Sequence, residues 1–234
     1  MGSVIGRENA ETLSYAVIRE APNYEIRHYE ATPIIETTWG EDSRQSFYRL
    51  ANYIGVFDKP MNEGAKKIPM TTPVECIVKG DGFEAMRFFP PKATAAAALP
   101  PPLSNEVQLK KTEERFVAAR RFSGSVDLDK TITQPPLRQQ ILLLLRSLLQ
   151  DGLITCSSSG SGGGGGGGRD GSNSPCSTDD DELFKQLEQG KIKDTSENKE
   201  IQVTLELYNS PFCLPIFRRN EFWVHLPRNA ALNK

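Results

Sequence analysis

The sequence predicts an α+β domain, with one antiparallel sheet or partly closed barrel and two helices laid against it. Three observations carry this. Short runs alternate apolar and polar residues with period two, as half-buried strands do. Two longer runs repeat their apolar residues at helical spacing. The order of the runs reads β-β-α-β-β twice, a repeat of pattern rather than of residues.

Residues 15–20 and 24–29 alternate on either side of Ala21-Pro22-Asn23, a turn signal. Residues 34–39 are a third, β-branched run. A helix then opens at Asp42, a good N-cap, and Gln45 three residues on completes a capping-box pattern. Phe47, Leu50 and Ile54 form its apolar stripe, and Gly55 stops it. Strands follow at 67–79 and 84–89, with prolines at 69 and 73 marking an edge or a strand start. Residues 90–102 are a connector rich in Pro and Ala. The pattern then restarts with strands at 106–112 and 115–122. A helix over 133–151 carries Pro135 and Pro136 in its first turn, where missing N–H groups cost little. Strands at 153–156, 202–208 and 221–226 complete it.

Residues 157–200 interrupt the second half. They hold Ser157-Ser158-Ser159, seven consecutive glycines at 162–168 and an acidic run at 179–182. Such a segment buries too little apolar surface to offset its ordering entropy, so disorder is expected. Its cost in loop closure is small, ~2 kcal/mol. Leu183, Phe184 and Leu187 share one face and mark a helical turn or two within it. The predicted organisation is a single domain over 12–228 with flexible ends at 1–11 and 229–234.

Composition excludes several classes. Basic and acidic residues nearly cancel, 28 against 30, which argues against a nucleic-acid-binding face. No apolar run approaches the ~20 residues of a membrane span. The N-terminus lacks a basic-then-apolar leader, so a cytoplasmic protein is expected. Cys76, Cys156, Cys176 and Cys213 lie far apart without a C-x-x-C pair, which favours free thiols. There is no H-E-x-x-H, G-x-S-x-G or phosphate-cradling G-x-x-x-x-G-K-[ST] pattern. His28 and His225 are the only histidines. This is the profile of a binding module rather than of a hydrolase, and no catalytic motif points to an enzyme.

The run Lys66-Lys67-Ile68-Pro69-Met70-Thr71-Thr72-Pro73-Val74 resembles the K-I-x-M-T-x-P-V signature of the SOUL haem-binding family. Tyr24-Glu25-Ile26-Arg27-His28-Tyr29, Leu50-Ala51-Asn52-Tyr53-Ile54-Gly55, Phe122-Ser123-Gly124 and Arg219-Asn220-Glu221-Phe222-Trp223 recur in the family's order. Together they span most of 12–226, and the Gly-rich middle has no counterpart. The resemblance implies a distorted antiparallel eight-stranded β-barrel from two β-β-α-β-β halves, flanked by two helices. It also implies reversible, non-covalent binding of haem or a related tetrapyrrole in a groove beside the first helix, for buffering, transport or signalling. The opening residues with Glu11-Thr12 resemble the plant and green-algal branch, which makes plastid association the second expectation for location.

On the first helix, Arg44, Tyr48 and Ala51 flank the apolar stripe. They combine a cation, an aromatic plate and a small residue, which suit a flat macrocycle bearing propionates. The family's early arginine aligns with Arg44, whereas its second basic position falls near the uncharged Asn52. The apolar loop at 209–217 carries Phe212, Leu214 and Ile216, and in the resembled fold it closes the groove. The expected ligand set is therefore Arg44, Phe47, Tyr48, Ala51, Phe212, Leu214 and Ile216. His28 is the candidate iron ligand, because one animal branch proposes the histidine of an identical Tyr-Glu-Ile-Arg-His-Tyr run as the axial ligand. Two other functions fit the residues. One is an enzyme acting on a tetrapyrrole or small electrophile in the same groove. The other is an interaction module, with weak self-association through the wide leucine arc of helix 133–151.

Overall fold

Alternation along the strands builds one large antiparallel sheet whose two faces have different chemistry. The computed structural model describes residues 10–95, 98–156, 179–209 and 214–232. The first half contains β1 (Ala16–Ala21), β2 (Tyr24–Tyr29), β3 (Pro33–Thr38), α1 (Ser43–Ile54), β4 (Val74–Lys79) and β5 (Gly82–Phe88), then a single turn α2 (Lys92–Ala95). The second contains β6 (Gln108–Lys111), β7 (Arg115–Phe122), α3 (Leu137–Gln150) and β8 (Ile154–Cys156). It continues with α4 (Asp180–Glu188), β9 (Ile192–Asp194), β10 (Val203–Leu207), β11 (Asn220–Leu226) and α5 (Arg228–Leu232).

Nine strands form the main sheet in the order β1-β2-β7-β11-β10-β4-β5-β3-β6. Among the described residues no pairing joins β1 to β6, so the expected eight-stranded barrel is instead an open nine-stranded sheet. The run at 153–156 leaves this sheet because β8 pairs with β9 alone. The expected strand at 67–79 enters the ladder only at Val74, since Pro69 and Pro73 cannot donate to it. Helix α3 starts after Pro136 rather than at 133, because each proline disfavours the helical conformation of the residue before it.

One sheet face carries Ile26, Cys76, Leu205 and Phe222, which share a core with Leu50 and Ile54 of α1 and with Ile141 and Leu145 of α3. Helix α1 lies on β3 and β5, and α3 on β7 and β11. Asp42 caps α1 by accepting from the Gln45 amide at 2.7 Å, and Gln45 Oε1 accepts from the Glu41 amide at 2.9 Å. Gly55 ends the helix at φ 79°, where a side chain would also strike Pro60.

Residues 179–200, placed by the sequence reading in a disordered insertion, carry α4 and β9. Leu183 and Phe184 are buried, and the Arg138 guanidinium of α3 lies over the Phe184 ring. Helix α4 thus covers part of the leucine arc that suggested self-association. The glycine tract, residues 157–178, lies outside the described residues. Among the described cysteines Cys76 is a buried free thiol, whereas Cys156 is disulfide-bonded, against the expectation of four free thiols. No helix among the described residues is long and apolar enough to cross a membrane.

Candidate functional site

The other sheet face is concave and charged. Cross-strand register places Glu36, Arg87, Glu75, Glu206 and Glu221 in one row over β3, β5, β4, β10 and β11. A flat sheet would hold β7 and β4 ~14 Å apart. Yet Arg115 of β7 donates to Glu75 of β4 at 2.7 Å, so the sheet curls around this face.

Arg87 bridges Glu36 and Glu75, at 2.5 and 2.9 Å. Glu221 accepts from Arg27 at 2.6 Å, Arg219 at 2.7 Å, Trp223 Nε1 at 2.8 Å and the Tyr208 hydroxyl at 3.1 Å. Burial pushes Glu75 and Glu221 up, but their arginines overcome this and hold both below the usual carboxylate range. Glu206 has no such partner. Among the described residues only the Thr204 hydroxyl donates to it, at 2.7 Å. Burial and then the charge of Glu75 push its carboxyl well above the usual range. Arg115 lies 5.2–5.8 Å from the rings of Phe89, Tyr29 and Trp223, so the chain's own guanidinium occupies this aromatic cage. Ion pairs and the Tyr29, Val117, Ala119 and Trp223 cluster share this concave face.

His225 also borders this interior. Burial drives its imidazole down to about 4, against the opposing charge of Glu75. A depressed histidine contributes stability above the ordinary pKa of 6.5 and loses it as pH falls toward 4. Urea unfolding should therefore show a loss of ~2–3 kcal/mol over that window. In His225→Gln that pH dependence should be reduced by a similar amount; an unchanged slope would assign it elsewhere.

The outer side of α1 is different. Phe47 is half-buried, with its ring 5.4 Å from Phe88 at 62°. Tyr48 is 50 % exposed and Phe57 56 % exposed, and their rings lie 5.1 Å apart. The Met61 amide donates to the Asn52 carbonyl and the Leu103 amide to the Met61 carbonyl, which brings two more exposed apolar side chains to this end of the helix. Arg44 is exposed one turn before Tyr48, on the same helical face, and makes no ion pair among the described residues. The result is an aromatic surface with a cation at one end.

The expected residues fall unequally on this surface. Arg44, Phe47 and Tyr48 are on it. Ala51 is fully buried in the core, so it offers no surface to a ligand. Leu214 and Ile216 are exposed on a 3-10 turn whose Pro215 carbonyl accepts from the Gly124 amide at 3.0 Å. Asp129, a few residues on, accepts from the Ser43 amide at the start of α1. Helix and turn are thus tied to opposite ends of one short segment. Phe212 lies outside the described residues.

His28 is not brought to this surface. Its ring stacks on Phe116 with centroids 4.7 Å apart, and Nε2 lies 3.2 Å from Glu114. Its strand β2 is five strand steps from β5, under α1. That is ~24 Å along the sheet.

Sequence reasoning missed Phe57 and Met61, although an apolar pair, Val56-Phe57, directly after the helix stop was a usable signal. It also missed the charged row. Glutamates at alternating positions of otherwise apolar strands pointed to it, but their grouping needed the strand order.

A model of the family described as SOUL heme-binding protein matches residues 10–158, well over half of the chain. No curated protein matches it by sequence. Among solved structures, the C-terminal domain of EcmrR is similar at 7 % identity and a TM-score of 0.44, over 87 % of this chain and 98 % of that one. A hydrolase from Listeria innocua is similar at 10 % identity and a TM-score of 0.44, over 88 % and 94 %. At such scores the likenesses carry no functional inference.

Proposed function

Because this chain belongs to the SOUL heme-binding protein family, we propose that it binds haem or a related tetrapyrrole, reversibly and without a covalent bond, on the outer face of α1. The carrying observation is the exposed Tyr48–Phe57 aromatic pair beside Arg44, which is exposed and makes no ion pair among the described residues. A soluble domain leaves large rings half in water at a cost, and adjacent exposed rings mark a surface that gains from being covered. A macrocycle suits this surface on two counts. Its flat apolar body would stack on the rings, and its propionates would meet the guanidinium. Phe47 would back the surface, and Leu214 and Ile216 would close its far side.

On this reading recognition rests on stacking and one charge-assisted bond rather than on iron ligation by His28. Hemin titrated into the full chain should give a saturable Soret change. Arg44→Ala should weaken that binding by ~1–3 kcal/mol. No Soret change at micromolar protein would remove the proposal, and equal affinity of the variant would remove Arg44 from it. A role in buffering, delivery or signalling follows from a carrier that releases what it holds.

A further inference from the structure

Among the described residues Glu206 is the one carboxyl in the concave row without an ion-pair partner. Glu75 faces it from β4 and Glu221 from β11, each directly opposite in register. Directly opposed residues of like charge repel. Both neighbours are ionised and held by two arginines each. Glu206 is fully buried, and its Oε2 has no hydrogen-bond partner. A third negative charge in this row, fully buried and with no ion pair of its own among the described residues, is the costliest arrangement, so the middle carboxyl keeps its proton.

The N-terminal segment 11–15 lies over this interior. The Leu13 amide donates to the Thr72 carbonyl and the Thr72 amide to the Glu11 carbonyl, both at 2.9 Å. Leu13 packs on Tyr29, Val117, Ala119 and Trp223. The Tyr15 ring lies 5.3 Å from the Tyr29 ring, and the Arg27 guanidinium sits 4.4 Å from the centre of the Tyr15 ring. The strap therefore rests on the residues that hold the charged row together.

We propose that Glu206 is a proton-binding site that latches this strap, and that its ionisation frees residues 11–15 from the concave face. Several charged and titratable groups border it. Besides Glu75 and Glu221 they are Arg115 of β7, Tyr29 of β2, Cys76 of β4, and Tyr208 after β10; behind them stand Arg27 and Arg219 against Glu221, and Arg87 and His225 against Glu75. Glu36 closes the row beyond Arg87. An ionised Glu206 would draw a guanidinium from this set. Arg27 is the one under Tyr15, and Arg115 lies beneath Tyr29 and Trp223, on which Leu13 packs. Moving either removes part of the strap's seat, while the backbone ladders of β10 and β11 stay intact. Opening would expose an arginine- and aromatic-lined face distinct from the surface of α1.

Hydrogen exchange on the full chain tests this, because the amides of Leu13 and Thr72 report the strap and that of Trp223 the sheet. From about pH 6 to about pH 10, strap protection, corrected for intrinsic exchange, should fall by about tenfold or more while Trp223 stays protected. Glu206→Gln, which mimics the protonated acid, should keep the strap protected throughout. The carbon-13 shift of the Glu206 carboxyl gives a second reading on the unmutated protein and should be that of the protonated form at neutral pH. A flat strap profile, an identical profile in Glu206→Gln, or an ionised carboxyl at neutral pH would each overturn the proposal.

Discussion

Glu221→Ala should destabilise the folded chain by ~3–5 kcal/mol, the usual cost of stripping one partner from a buried ion pair. Glu221 is fully buried and is the common acceptor for Arg27, Arg219, Trp223 and Tyr208. Removing it leaves the Arg27 guanidinium, itself 3 % exposed, with Glu25 at 2.8 Å as its one remaining ion-pair partner among the described residues, and leaves the indole N–H with no acceptor in this group. Urea unfolding at neutral pH measures the loss, with an unchanged m-value if the native fold survives. A loss under ~1 kcal/mol would mean that water reaches this interior. The same variant, under conditions where it remains folded, should bind hemin as the unmutated protein does, since the proposed ligand surface is across the sheet.

The converse pattern is expected for Tyr48→Ala combined with Phe57→Ala. Both rings are half in water, so the stability cost should stay under ~1 kcal/mol. Hemin affinity should fall by about two orders of magnitude, since the stacking surface is gone and each buried ring contributes ~1.5 kcal/mol or more. Soret titration of the double variant reads this directly. His28→Ala is the natural companion, and its spectrum and affinity should match those of the unmutated chain. Retained affinity in the double variant would move the ligand off α1. A changed iron spectrum in His28→Ala would bring β2 back as the site of ligation.

Much of α1 was legible from its residues because helix ends are local. Asp42, Gln45 and Gly55 act on groups within four positions of themselves. Its buried stripe was readable for Leu50 and Ile54, but Ala51 was assigned to a ligand and is core. The helical angle alone places Ala51 at the border of the stripe, and what packs from β3 and β5 decides the border. The strands at 24–29 and 115–122 match β2 and β7 in full, since alternation with strong β-formers is a local signal. The barrel expectation failed at a non-local step. Nothing near residues 153–156 says that they pair with 192–194 rather than with the main sheet.

By itself, the chain determined its α+β class, the places where α1 starts and stops, and the presence of an arginine and an aromatic ring on one helical face. These depend on dihedral preferences, caps and periodicity, which act over a few residues. Only the tertiary structure decided that glutamates from 36 to 221 share one row, that Phe57 meets Tyr48, and that His28 stands apart from both. Strand order and sheet curl set those neighbours, and both are fixed by burial summed over the whole domain rather than by any short segment of it.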